Sequence, residues 1–410
     1  MDIKSQETIF GLLPKTWKIV KFKDILKLKN DKSTDNSIQM YSITNNGIFP
    51  RDEKFNKQLA GKNSKFKLIH KNNLIFGMSR EILNWGIMKK DVGGVSSAYT
   101  VYEVDSSINI KYLEYFIGNW NKYFKDIIKP ASREGQGIEK DMLMTKIMYV
   151  PPNEDLTKMF EIIDSINKKI EINNKINNNL EQLTESIFKN WFVKCEPFKN
   201  ENFIEHSWTN FPESWELIRL KDIIHITSGK RPGDKQDLKN NKFIYPLYGA
   251  SSIMGYVSEY SYNEPILLIG RVGTLGIVQR VLDKCHPSDN TLVIKSKYYE
   301  YIFQILKRIN YDAYNTGSTQ PLITQKAISN IEIPLPPQKE LDKFEKISST
   351  LYSEVYKNKK EIETLTKLRD TLLPKLMSGE IDVSNINFDF YNHTIPNYTH
   401  ILYICNFFVC

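Results

Sequence analysis

The chain is written twice, and that constrains its fold more than any other feature. The stretch Leu13-Pro14-Lys15-Thr16-Trp17-Lys18-Ile19-Val20-Lys21-Phe22-Lys23-Asp24-Ile25 returns as Phe211-Pro212-Glu213-Ser214-Trp215-Glu216-Leu217-Ile218-Arg219-Leu220-Lys221-Asp222-Ile223. Three further matches follow in the same order. Leu74-Ile75-Phe76-Gly77 parallels Leu267-Leu268-Ile269-Gly270, and Lys111 to Ile117 parallels Lys297 to Phe303. Val150-Pro151-Pro152 parallels Leu335-Pro336-Pro337, each pair opening a long helical stretch, since proline is tolerated in a first helical turn. A repeat this long is a duplicated domain pair and not a short-repeat solenoid.

Each copy reads as a globular module followed by a helix. The modules mix short Ile/Tyr/Val-rich runs, bounded by Gly, Pro, Asn and Asp, with brief helices. That predicts an α+β fold with small mixed sheets, although the strand order does not follow from the pattern. After Pro152 apolar residues fall at Leu156, Met159, Ile163, Ile166, Ile170, Leu180, Ile187 and Trp191. Adding 185 gives Leu341, Phe344, Ser348, Leu351, Val355, Leu365, Leu372 and Leu376 without a gap. Steps of three and four make a heptad seam, and a lone helix of this kind would leave its stripe in water. The expected partner is the other copy. If an approximate two-fold axis relates the modules, the two helices lie antiparallel as a coiled coil between them. Asn173 and Asn358 take equivalent seam positions, where a polar residue either fixes register or marks the weak middle of the seam.

The boundaries that follow are 1–150 for the first module, 151–195 for its helix and 196–210 for a linker. The second module takes 211–334, its helix 335–380, and a tail 381–410. The net charge of +8 suits an anionic partner without proving one. Cysteines at 195, 285, 405 and 410 form no CxxC pair, which argues against a metal site or a disulfide framework. Neither a signal-peptide pattern nor an apolar run long enough to span a bilayer is present, so a cytoplasmic protein without membrane contact is expected.

The run Gly317-Ser318-Thr319-Gln320-Pro321-Leu322-Ile323, followed by Ile331-Glu332-Ile333-Pro334-Leu335-Pro336-Pro337-Gln338, resembles the junction between a target-recognition domain and its helix in type I restriction-modification specificity subunits. Leu368 to Ile381 resembles that family's second conserved helix end, and Asn190-Trp191-Phe192-Val193 with Glu196-Pro197-Phe198 the end of its first. The resemblance covers residues 13–386. It implies two target-recognition domains, each reading one half of a split double-stranded DNA site. It also implies methyltransferase (modification) subunits and ATP-driven restriction/translocase subunits as partners. S-adenosylmethionine, ATP and Mg2+ would then sit on those partners, with no cofactor and no catalysis on this chain. Two departures stand out. The first module shows Ser132-Arg133-Glu134-Gly135-Gln136-Gly137-Ile138 in place of the Gly-Ser-Thr-Gln run, and the tail Asn387–Cys410 matches nothing in the pattern.

Reading bases needs bidentate donors and acceptors in a groove, with phosphate contacts to hold position. In the second module the candidates are Lys230 and Arg231 after Gly229, Arg271 after Gly270, and Tyr248 and Ser251 in a glycine-opened turn. In the first they are Ser79 and Arg80 after the matching Gly77, with Lys89, Lys90 and Arg133. Arg80 and Arg271 are favoured because both follow equivalent strand-ending glycines; a solvated loop charge is the bland alternative. Thr319 and Gln320 either close the module onto its helix or touch DNA. Gly270-Arg271-Val272-Gly273-Thr274-Leu275-Gly276 has the wrong spacing for a dinucleotide site, and no Gly-x-x-x-x-Gly-Lys-Ser/Thr loop occurs. Two other readings compete: a coiled-coil scaffold whose modules bind proteins, and a stand-alone nuclease or methyltransferase. The first predicts salt-insensitive binding without a DNA footprint, the second turnover by the purified chain.

Overall fold

The computed structural model describes residues 5–51, 65–79, 81–129, 137–206, 210–273, 275–317 and 321–384. The chain divides into two compact units, Met1–Lys169 with Thr364–Cys410, and Ile170–Glu363.

The first unit is built on a four-stranded antiparallel sheet of β1 (Leu26–Lys29), β2 (Leu74–Phe76), β3 (Trp85–Ile87) and β4 (Thr100–Val104), in the order β3-β2-β4-β1. The run Leu74-Ile75-Phe76 makes a central strand because it is buried on both faces. Helix Ile110–Asn119 starts where the Asn109 side chain accepts from the Lys111 and Tyr112 amides, and it buries Tyr112, Leu113, Phe116 and Ile117. A two-stranded sheet pairs Lys18–Lys21 with Ile147–Val150, the strand that feeds Pro151-Pro152 and the first long helix.

The second unit repeats this plan. Its main sheet contains β5 (His225–Ser228), β8 (Ile266–Gly270), β9 (Val278–Val281) and β10 (Thr291–Lys295) in the order β5-β10-β8-β9, strand for strand the same as β1-β4-β2-β3. Between β5 and β8 lies a hairpin, β6 (Tyr245–Tyr248) and β7 (Ile253–Val257), to which His286–Pro287 adds a short parallel strand. Glu216–Arg219 pairs with Glu332–Leu335 just ahead of the second long helix. Trp17 and Trp215, the fixed residues of the repeat, are both buried.

One register of the repeat needs correction. Aligning Lys111-Tyr112 with Lys297-Tyr298 is off by three residues. The buried Tyr112 hydroxyl donates to the Tyr149 carbonyl, and the buried Tyr301 hydroxyl donates to the Pro334 carbonyl at 2.9 Å. Tyr149 and Pro334 each stand two residues before the proline pair, so Tyr112 matches Tyr301.

The long helices span Asn153–Phe188 and Gln338–Met377, and each gives residues to both units. Within the second unit Asn173 Nδ2 donates to Glu361 Oε2 (2.7 Å), Asn358 Nδ2 to Asn177 Oδ1 (3.0 Å), and Lys359 pairs with Glu181 (3.1 Å). Within the first, Arg369 Nη1 reaches Asn167 Oδ1 (3.4 Å) and Lys158 Nζ the Ser384 carbonyl (2.8 Å). From Asn173–Glu361 to the ring contact Phe188–Phe344 in the second unit, and from Lys158–Ser384 to Asn167–Arg369 in the first, the partner number falls as the first helix advances, so the pair is antiparallel in each unit.

The seam is unevenly apolar. In the first unit it buries Leu156, Met159, Ile163, Ile166, Leu365, Leu372 and Leu376, each side chain worth about 1.5–3 kcal/mol of burial. In the second it buries Leu341, Phe344, Tyr352 and Val355, while Leu351, Leu180 and Ile170 are half-buried. Its polar stretch comprises Asn173, Asn177, Thr184, Ser348 and Asn358, all buried. Asn173 and Asn358 do not meet each other. Each bonds a different residue of the opposite helix, and Asn173 Oδ1 and Ser348 Oγ are left without a partner.

Candidate nucleic-acid interface

In the second unit the ends of three neighbouring strands converge. The chain leaves β5 at Ser228, leaves β8 at Gly270 and enters β10 at Thr291. Gly229 fits there because it lacks a side chain: a Cβ would stand 2.1 Å from the Ser288 carbonyl and 2.6 Å from that of Pro287. Its amide donates to Thr291 O and the Lys230 amide to Pro287 O, each at 3.0 Å. Lys230 and Arg231 are thus carried outward on a pinned root, and both are exposed.

Arg271 sits at the same end but is partly turned in. Nη1 donates to Ser228 Oγ (3.0 Å), which also accepts from Gln325 Nε2 (2.8 Å), and the Arg271 Nε is buried without a partner. Its backbone is used as well, its amide by Asn290 O (3.0 Å) and its carbonyl by the Ile323 amide (2.9 Å). Asn315 Oδ1 accepts from the Gly317 and Leu322 amides, both at 2.9 Å, closing the next loop beside it. Thr319 and Gln320, proposed for that loop, lie outside the described residues. In the β6–β7 turn the Gly249 amide donates to Ser252 O (2.8 Å), leaving Ser251 exposed; Tyr248 is half-buried, its hydroxyl pushed up to about 12 by burial.

The equivalent end of the first unit is only partly described. Ser79 is fully buried: its hydroxyl accepts from the Asn84 amide (2.8 Å), so it braces the loop after Gly77 and does not face outward. Lys89 is ion-paired with Glu114 and Lys90 is exposed. Arg80 and Arg133 lie outside the described residues.

Sequence reasoning missed Ser228 and Gln325, which bracket Arg271. Their contact spans 97 residues, and no local pattern announces it. It also passed over Lys235, Lys239 and Lys242, exposed on the segment that continues from Arg231. Only their density of charge could have flagged them.

A cavity of about 320 Å³ in this unit is lined by Arg280, Tyr352, Lys360 and neighbours. Its charges are matched: Arg280 by Glu300, Lys360 by Asp283, Lys359 by Glu181, and Lys307 by Glu185. Such pairing describes a structural joint more than a ligand site. Burial pushes the Cys195 thiol up to about 11 and that of Cys285 to about 12, so neither is an activated nucleophile. Among the described residues no group of three His, Cys, Asp or Glu could hold a metal, and no helix is long and apolar enough to cross a membrane.

The family described as the type I restriction modification DNA specificity domain matches residues 14–182 and again 212–370. The chain belongs to the type I specificity subunits. The double match coincides with the internal repeat. Among curated relatives, the type I restriction enzyme MjaIX specificity subunit of Methanocaldococcus jannaschii is 25% identical, covering 94% of this chain and 98% of its own. The HindI specificity subunit of Haemophilus influenzae is 23% identical over 70% of this chain and 81% of its own. A crystal structure of a type I restriction-modification system S subunit from M. genitalium superposes with a TM-score of 0.50 at 18% identity, covering 88% of this chain and 96% of that one. That likeness supports the fold of this specificity subunit. The DNA-recognition role rests on the family match.

Proposed function

We propose that this specificity subunit reads a bipartite double-stranded DNA site, one half through each recognition domain, from within a cytoplasmic complex. Its partners are methyltransferase subunits, which methylate an adenine in each half-site, and ATP-driven restriction subunits, which cleave. S-adenosylmethionine, ATP and Mg2+ belong to those partners, and this chain supplies address and not chemistry. The observation that carries the reading is the repeated sheet, β1-β4-β2-β3 and β5-β10-β8-β9, inside a chain that the DNA specificity family matches twice.

Exposed Lys230, Arg231 and Ser251 suit direct contact with DNA, as does Lys90 in the first domain. Arg271, tied to Ser228, has one guanidinium edge committed and acts chiefly by shaping the reading end. The two long helices set the length of the unread spacer and dock the methyltransferases. A helix of 36 residues rises about 54 Å at about 1.5 Å per residue.

The test is a module exchange. Replacing residues 13–150 with the first module of another specificity subunit, then mapping methylated adenines in cellular DNA, changes one half of the recognised sequence and leaves the other intact. A change in both halves, or in neither, defeats the modular reading. Removing one heptad from each long helix shortens the spacer or abolishes binding; an unchanged spacer at full affinity rules the helices out as its measure.

A further inference from the structure

From Lys230 the chain runs to β6 within the second unit, and it is held at four places. His286 Nε2 lies 3.0 Å from the Lys230 carbonyl. The Asp234 carboxylate accepts from the Ser258 hydroxyl at 2.5 Å and from its amide at 3.3 Å. Gln236 and Tyr256 exchange both backbone hydrogen bonds, at 2.9 and 2.7 Å, which adds this segment to the free edge of β7. Asn240 Oδ1 accepts from the Lys242 and Phe243 amides, both at 2.9 Å.

On this braced segment stands Leu238, 80% exposed, more than any other large apolar side chain among the described residues. Loops held on a rigid scaffold are where binding residues concentrate. Exposed Lys230, Arg231, Lys239 and Lys242 lie around it in sequence, the carboxylate of the adjacent Asp237 is taken up by Lys235 at 3.3 Å, and Ile253 and Met254 at the start of β7 are exposed as well. The combination of cations with a projecting apolar tip complements a groove whose walls are phosphates and whose floor is base edges. A protein surface would be met equally by the leucine, but gives no reason for the flanking cations.

We propose that Lys230–Lys242 is a DNA-contacting arm of the second recognition domain, with Leu238 entering the groove of its half-site to pack on base edges while Lys239 and Lys242 hold the flanking phosphates. The proposal rests on the reading of the chain as a DNA specificity subunit. It adds a residue that contributes discrimination through apolar contact and not through hydrogen bonds.

The test uses the full chain assembled with its methyltransferase subunits, binding by fluorescence anisotropy to a duplex carrying its methylated site and to a duplex with the second half-site scrambled. Leu238→Ala weakens binding to the true site about ten-fold and leaves the scrambled duplex unaffected, in line with the loss of one base-edge contact. Leu238→Lys strengthens binding to both duplexes at low salt and erases most of the difference between them. Lys239→Ala with Lys242→Ala lowers the salt slope by nearly two, about 0.9 per phosphate contact. Because Leu238 touches little, thermal unfolding of its variants matches the wild type.

Leu238 variants that keep the wild-type ratio between the two duplexes overturn the arm while the DNA reading stands. Variants that keep the ratio but lose methyltransferase subunits on gel filtration assign the leucine to a protein contact and overturn it too. A wild-type complex that binds both duplexes equally sinks the underlying reading.

Discussion

Gly229 offers the sharpest test of how the strand ends of the second unit's main sheet are built. Replacing it with alanine places a methyl 2.1 Å from Ser288 O, 2.6 Å from Pro287 O and 2.7 Å from Thr291 Oγ1. Two of these are backbone atoms, so no side chain can swing aside to make room. The chain must withdraw, which breaks or stretches the Gly229–Thr291 and Lys230–Pro287 bonds. Those bonds contribute about 0.5–1.5 kcal/mol each, and local overpacking adds about 1–3. A loss of about 2–6 kcal/mol follows for the second unit. For a unit of this size each kcal/mol moves Tm by roughly 2–4 °C, so differential scanning calorimetry of Gly229→Ala should show a transition about 4–24 °C lower. Gly233, four residues on, is the internal control. A Cβ there meets nothing within 4 Å, and Gly233→Ala stays within about 0.5 kcal/mol of wild type. Equal melting of the two variants, or a Gly229→Ala transition within a degree of wild type, refutes the argument from close approach.

Other outcomes follow from the seam and the buried joint. Asn358→Leu alone strands the Asn177 amide oxygen at a cost of about 1–3 kcal/mol. Asn177→Leu with Asn358→Leu recovers it, so urea midpoints in a four-member cycle are non-additive; strict additivity disproves the pairing. Tyr301→Phe leaves Pro334 O without its donor and lowers stability by about 1–2 kcal/mol, measured by chemical denaturation. Burial raises Glu300 from 4.5 to about 7 against the pull of Arg280, with Glu345 also raised beside it. The folded state therefore binds the Glu300 proton more tightly than the unfolded state. This contribution is whole below about pH 4.5 and is lost as pH rises through 7. Glu300→Gln flattens that decline in a plot of Tm against pH; an unchanged slope means that Glu300 stays ionised throughout.

The duplication was legible because a fixed Pro-x-x-Trp frame and paired prolines survive in both copies, and so was the pairing of the helices, since their stripes demand cover. What escaped was whatever depends on three-dimensional offset. Lys-Tyr-x-Glu patterns coincide three residues out of register, and only the carbonyl that each buried tyrosine reaches identifies Tyr112 with Tyr301. The polar seam positions Asn173 and Asn358 could be named, but not Glu361 and Asn177 as their partners, because an antiparallel pair sets partners by axial offset. A strand-ending glycine singled out Arg271, yet periodicity cannot say that Ser228 turns its guanidinium inward. Ser79 was placed by the same glycine rule, and it faces the core because the loop amide of Asn84 needs an acceptor.

The first unit is closed by the far end of the chain. Gly379, in a left-handed conformation, lies where a Cβ would stand 2.7 Å from Pro14, and Lys158 reaches Ser384. During synthesis Met1–Lys169 leaves the ribosome long before the segment after Thr364 that finishes the same unit. At about 5–20 residues per second, Leu156, Met159, Ile163 and Ile166 wait some 10–40 s for their covering stripe. Premature termination anywhere before Leu365 would therefore cripple the half of the protein that was made first.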